Sequence, residues 1–284
     1  MKVGAGGTAK DSVEDAAIHL DGVICTMGDK VALDIEQLSI AAGERVAIVG
    51  HNGAGKSTLL RLLSGFARAE HGVVSVLGQR LPSQSSARSS RSLKSLRSEV
   101  GQVLQGLHLV QRLSALDNVL IGALGRLSGW RTWLRWHRPE DVAEAKAALR
   151  EVGLLAKADM RVDRLSGGER QKVAIARMLM QRARLILADE PTAALDPQAA
   201  AEVCALLARA AQGQRGATLI SVVHNPALLP LLADRVVGLR QGRIAFDLPV
   251  AKVDDACLLS LYRAAPRNVM ALAADSPDLI AEPA

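Results

Sequence analysis

Apolar and polar positions along the chain fall into short patterned runs that alternate between strand and helix periods. Ala17–Cys25 and Ala32–Ile40 alternate like strands, and Arg45–Val49 is a compact strand that stops at Gly50. Ser57–Leu63 opens a helix, and Val73–Leu77 predicts a further strand. Leu81–Arg97 is rich in Ser and Arg and predicts a loop followed by a weak helix. Asn118–Gly125 and Pro139–Val152 read as helices, the second with Pro139 at its start and Gly153 just beyond its end. Arg170–Gln181 and Gln198–Ala211 continue the helical pattern. Arg184–Ala188 and Ala217–Val223 are apolar without alternation, as in strands buried on both faces of a parallel sheet. Val236–Leu239 and Arg243–Phe246 form a hairpin around Gln241-Gly242. Strand–helix alternation at both ends of a helical middle predicts α/β architecture with an inserted helical subdomain. Residues 1–16 are Gly- and Ala-rich and charged, and predict a flexible N-terminus; the Ala/Pro/Asp-rich stretch 264–284 predicts a flexible tail.

Composition narrows the picture. Nearly half of the 284 residues are apolar, enough for a sizeable core, but only two Phe, one Tyr and three Trp are present. Leu, Val, Ile and Ala must therefore build that core. The net charge of +6 is dispersed, which fits ordinary solubility and specifies no anionic partner. Cys25, Cys204 and Cys257 are odd in number and far apart, which predicts free thiols in a reducing compartment and no zinc site. Asp11, Glu14 and Asp15 interrupt any signal-peptide pattern, and no run of 18 apolar residues spans a membrane.

Two stretches carry chemistry. Gly50-His51-Asn52-Gly53-Ala54-Gly55-Lys56-Ser57 fits G-x-x-x-x-G-K-[ST] between a strand and a helix. The glycines let the backbone curl so that successive N–H groups face phosphate oxygens, and the helix dipole favours the anion. Thr58 follows in the same helix start, Lys56 would reach the β- and γ-phosphates, and the Ser57 hydroxyl would ligate Mg²⁺. The second stretch, Leu185–Glu190, is an apolar strand ending in two carboxylates. Ligands gather at the carboxyl ends of parallel strands. Asp189 suits a Mg²⁺ contact, direct or through water, and Glu190 could act as general base on the attacking water.

Leu165-Ser166-Gly167-Gly168-Glu169 resembles the signature motif of ATP-binding-cassette proteins. The rest of the family's order is also present. Gln105 resembles the Q-loop glutamine, Ala194-Leu195-Asp196 the D-loop, and His224 the switch histidine. The resemblance implies a P-loop NTPase of ABC type spanning residues 17–263, with a parallel core sheet, an antiparallel β subdomain and a helical subdomain at about 100–182. It implies a head-to-tail dimer holding two ATP molecules. Each ATP would touch the phosphate loop of one copy and Ser166, Gly167 and Gly168 of the other. Gln105 would contact Mg²⁺ or the water, His224 the γ-phosphate, and Asp196 the dimer seam. Leu113–Gly122, the Trp-rich stretch after it and the ending LRQGRIAFDLP resemble the ATP-binding subunit of phosphonate importers. That implies a permease partner and a peripheral place on the cytoplasmic face of the inner membrane.

Trp130, Trp133 and Trp136 are spaced by three among arginines. On a helix they form a ridge that either packs on the helical subdomain or docks a permease helix or lipid heads; a nucleic-acid platform fits less well. Lys56 to Ser166 spans only 110 positions, whereas DNA-acting cassette ATPases carry a very long insertion there. Ribosome factors fuse two cassettes and exporters commonly fuse a membrane domain, so an importer motor accounts best for this chain.

The chain departs from the family in two respects, one being that Asn225-Pro226-Ala227-Leu228, after His224, lacks the acidic residue often seen there. The aromatic that stacks on adenine is missing: the region reads Cys25-Thr26-Met27-Gly28, and no Phe, Tyr or Trp occurs between residues 1 and 65. Stacking is worth roughly 0.5–1.5 kcal/mol beyond burial, and Met27 could substitute through its sulfur. Weak nucleotide binding with poor base discrimination is the expected outcome. GTP should displace a fluorescent ATP analogue at concentrations close to those of ATP, and a strong ATP preference would mean that another group holds the base.

Overall fold

The computed structural model describes residues 16–28, 30–84, 90–126, 138–193, 195–213 and 216–261. The tryptophan segment, the tail and all but the last residue of the N-terminal stretch lie outside them. Two long strands, β1 (Ala16–Met27) and β2 (Lys30–Ala41), pair antiparallel, and β4 (His71–Val76) and β5 (Gln79–Arg80) complete a four-stranded sheet in the order β2-β1-β4-β5. The second sheet has six strands. It is built from β3 (Arg45–Val49), β6 (Val100–Val103), β7 (Leu185–Asp189), β8 (Thr218–Val222), β9 (Arg235–Arg240) and β10 (Arg243–Pro249), in the order β10-β9-β3-β8-β7-β6. All pairs in it are parallel except β9 with β10.

The side-chain alternation of these parallel strands explains why they carry no polar face. In β7, Leu185 and Leu187 join one core while Ile186 and Ala188 join the other, and β3 divides Val46 and Ile48 from Ala47 and Val49 in the same way. One core lies between the six-stranded sheet and the antiparallel sheet, and encloses helix α1 (Lys56–Leu63). The other lies under α3 (Ala115–Ile121), α4 (Pro139–Glu151), α5 (Gly167–Gln181) and α6 (Pro197–Gln212). Short helices α7 (Leu229–Leu232) and α8 (Asp255–Ser260) close its edge, and α2 (Ser90–Glu99) leads into β6.

Two elements differ from expectation for local reasons. The stretch Val100–Val103 is a strand, so the helical layer begins after it rather than at residue 100. Gly101 allows this strand to lie against α5: a Cβ there would sit 2.8 Å from Met178 Cγ and 2.9 Å from Ala183 Cβ. Helix α3 starts at Ala115 rather than Asn118, because Ser114 caps it by accepting from the Asp117 amide. Asn118 is fully buried and spends its amide on the loop before the helix, accepting from Val110 N and donating to the Val110 and Ser114 carbonyls.

Candidate functional site

The site starts from the turn that follows β3. Gly50 and Gly55 have φ of 156° and 104°. A Cβ on Gly50 would come 2.3 Å from the Leu239 carbonyl oxygen, and one on Gly55 2.6 Å from that of Ala32. The loop is thus pressed between the β9 end and β2, and only glycine fits. Gly55 is also the N-cap of α1 and offers no side-chain cap, which leaves the first N–H groups of the helix free for an anion. Lys56 is almost fully buried. Its ammonium donates to the carbonyls of Gly50 at 2.8 Å and His51 at 3.0 Å. Burial pushes the Lys56 pKa down, and the carboxylates of Glu190 and Asp189 push it back up.

The strands β3, β8, β7 and β6 are parallel neighbours, so their carboxyl ends open on one edge. From β7 come Asp189 and Glu190, from β8 His224, and from β6 Gln105. Glu190 has a left-handed backbone, φ 50°, which costs roughly 1–2 kcal/mol for a side chain of this kind. Its carboxylate meets His224 with Oε1 2.6 Å from Nε2. A cleft of about 560 Å³ is lined by Ala32, the phosphate loop from Asn52 to Thr58 (Ala54 apart), Gln105, Glu190 and His224. Asp189 adjoins it through Ser57. One of its oxygens, Oδ1, is buried without a partner, and the Ser57 hydroxyl bonds to its carboxylate. Burial raises the Asp189 pKa first and the Glu190 charge second, against the lowering effect of Ser57, Lys56 and His224. A hydroxyl and an unanswered carboxylate oxygen side by side form a hard-oxygen donor set that fits Mg²⁺.

Ser166, Gly167, Gly168 and Asp196 do not line this cleft. Ser166 caps α5 in a reciprocal capping box with Glu169, whose carboxylate also pairs with Lys157. Asp196 caps α6 by accepting from the amides of Gln198 and Ala199. A Cβ on Gly167 would meet nothing within 4 Å, and one on Gly168 only side chains at 3.9 Å. Of the segment expected near adenine, Cys25 is buried with its thiol toward the Arg68 carbonyl, Thr26 bonds Glu70, and Met27 is exposed. Sequence reasoning missed Ala32, which meets the phosphate loop from β2, and it missed Arg177. Nothing in the sequence distinguishes either one.

A parallel sheet with a phosphate loop, an acidic strand end and a signature helix defines a P-loop ATPase of the ATP-binding-cassette kind. The family model for ABC transporters matches residues 33–193. The phosphonates import ATP-binding protein PhnC 2 of Pseudomonas savastanoi pv. phaseolicola is 44% identical over 251 residues, 87% of this chain and 90% of that protein. PhnC of Stutzerimonas stutzeri is 43% identical over 253 residues, 88% and 91% of the two chains. Among solved structures, a dimeric ATP-binding cassette in a post-hydrolysis state with ADP and Pi superposes with a TM-score of 0.71 at 28% identity, covering 82% of this chain and 98% of that one. CbiO1 of Clostridium perfringens, part of an ABC transporter complex, gives 0.72 at 27% identity over 84% and 90%. The chain belongs to the ABC transporter family and is an ABC-type, nucleotide-binding ATPase.

Because the folded chain raises the Asp189 pKa, it binds that proton more tightly than the unfolded chain. Stability from this group is present at low pH and is lost as pH rises through the folded pKa. Asp189→Asn should therefore raise the Tm of the nucleotide-free protein near neutral pH and flatten its pH dependence. The same variant should lose the extra stabilisation that Mg²⁺ adds to ATP, measured as the difference in Tm with and without the ion.

Proposed function

We propose that this chain is the ATP-hydrolysing motor of an importer, and that its cargo is a phosphonate or a related oxyanion. The observation that carries the motor is the division of the site. Lys56, Gln105, Glu190 and His224 line one cleft, with Asp189 bonded to Ser57 of its lining, while Ser166, Gly167, Gly168 and Asp196 do not line it and the two glycines have space around them. A second copy turned head to tail would bring its signature helix over the first copy's cleft, enclosing two ATP molecules. The cargo class rests on the finer sequence resemblance and on the printed names of the relatives.

In that dimer the phosphate-loop amides and Lys56 hold the β- and γ-phosphates, and His224 donates to the γ-phosphate. Ser57, Asp189 and Gln105 would hold Mg²⁺, which supplies charge neutralisation between the phosphates when bound. Glu190 accepts a proton from the attacking water. The left-handed backbone at Glu190 sets the direction of its carboxylate, which lines the cleft. The Ser166 hydroxyl and the free amides of Gly167 and Gly168 would meet the other side of the γ-phosphate. Loss of that phosphate removes the charge that draws the two copies together, and the dimer reopens.

The permease partner docks in a second groove of about 1040 Å³ between α2, β6, α3 and α5. Lys94, Arg97, Arg126 and Arg177 line it, with no carboxylate among its lining residues. Phe66 and Leu124 stand exposed there, and the Arg97 guanidinium lies 4.2 Å from the centre of the Phe66 ring. A short helix with an apolar anchor and an acidic flank complements such a groove. No helix among the described residues is long and apolar enough to cross a membrane. Bound to its permease, the chain acts as a peripheral subunit on the cytoplasmic face of the inner membrane. Nucleic acid is not an expected partner.

Glu190→Gln should lower turnover by roughly 10²–10⁴-fold and accumulate an ATP-loaded dimer on size exclusion; unchanged turnover would remove Glu190 from its role. Affinity capture from detergent-solubilised native membranes should recover a multi-span permease that stimulates hydrolysis. Phe66→Ala with Leu124→Ala should cut the recovered permease roughly tenfold or more without changing ATP binding. Recovery of DNA or ribosomes in place of a permease would overturn the transport role and leave the ATPase intact.

A further inference from the structure

Gln105 sits in a loop whose backbone is under strain. Two residues further on, Leu107 and His108 are consecutive non-glycine residues in the left-handed region, with φ of 55° and 46°. Leu107 lacks the short polar side chain that tolerates this conformation. The amides of Leu107 and His108 reach only back to the carbonyls of Leu104 and Gly106.

What holds the pair is Arg177 on α5. Its Nη2 donates to the Leu107 carbonyl and its Nη1 to the His108 carbonyl, each at 2.7 Å. A planar guanidinium offers two donors in a fixed fork, which holds a pair of successive carbonyls more rigidly than a rotatable ammonium. Among the described residues no carboxylate pairs with this arginine, and burial pushes its pKa down. Satisfying the carbonyls does not explain that cost, since His108 is exposed and water could reach it. One turn along the same helix, Gln181 Nε2 donates to the carbonyls of Arg97, Ser98 and Val100 at the entry of β6. Helix α5 thus grips β6 on its way in and its loop on the way out. The N-terminus of that helix is the Ser166–Gly168 turn, about 15 Å from Arg177 at 1.5 Å per residue.

We propose that Arg177 is a positioning residue for hydrolysis: it clamps Leu107 and His108 in their strained conformation, fixes Gln105 in the phosphate cleft, and ties that loop rigidly to the signature helix. This rests on the role given to Gln105 above. Rotation of α5 when a second copy engages its N-terminus would then move Gln105 with it. A residue far from the nucleotide would report the state of the dimer seam to the reacting centre.

The test is a double-mutant cycle on the purified full chain, measuring steady-state ATPase. Arg177→Ala and Gln105→Ala should each lower kcat by roughly 10–100-fold with little change in the KM for ATP, because the phosphate loop is untouched. The double variant should be no slower than Gln105→Ala alone, since one residue acts through the other. Arg177→Lys, which keeps the charge but loses the planar fork, should fall between wild type and Arg177→Ala. It also serves for the cycle if the alanine variant does not fold. Losses that multiply in the double variant, or full kcat in a folded Arg177 variant, would overturn the clamp while leaving Gln105 in place. Full kcat in Gln105→Ala would overturn the role of Gln105 and the clamp together.

Discussion

Everything in the cleft depends on the parallel hydrogen bonding of β3, β8, β7 and β6. Parallel strands must leave the sheet on a common edge, so the loops that carry Lys56, His224, Glu190 and Gln105 emerge side by side although up to 168 residues separate them. The two cores fix the register. In β7, a slip of one residue would exchange Leu185 and Leu187 with Ile186 and Ala188, and it would carry Asp189 out of reach of Ser57. The functional geometry and the packing of the sheet are therefore one constraint, set by which apolar residues face which core.

Charge balance in the cleft follows from that convergence. One buried ammonium faces two carboxylates in a partly dry site. Lys56 donates to the Gly50 and His51 carbonyls, and Glu190 meets His224. Asp189 is the exception, with a buried oxygen that nothing answers and a pKa raised by burial. The site is thus strained toward accepting a cation and an anion together. Either alone would leave one sign uncompensated in a medium where charges interact strongly.

The parts of the site legible in the sequence are those in which backbone geometry forces a residue type at a fixed spacing. The glycines of the phosphate loop are such a case, because Leu239 and Ala32 leave no room for a Cβ at Gly50 and Gly55. The apolar run before Asp189 is another, since only a strand covered on both faces carries no alternation. Strand β6 was not legible. Val-Gly-Gln-Val is short, and it becomes a strand through pairing with β7 and the close approach of Met178 to Gly101. Arg177 was invisible for a different reason. On a helix it is one arginine among several, and its partners are main-chain carbonyls about 70 residues away.

The glycines of the signature turn invert the argument made for the phosphate loop. At Gly50 and Gly55 the chain itself excludes a side chain. At Gly167 and Gly168 it does not, because an added Cβ would stand in open space or in ordinary contact. Glycine lowers helix stability by up to about 1 kcal/mol relative to alanine, and α5 begins with two in succession. Nothing within one copy returns that cost. Close approach of a body from outside the chain would return it, and the proposed second copy, carrying its nucleotide, is such a body. Asp196 is exposed as well, and its side chain caps α6. In the proposed dimer one folded chain would hold half of each catalytic site, and its α5 helix would join the two halves.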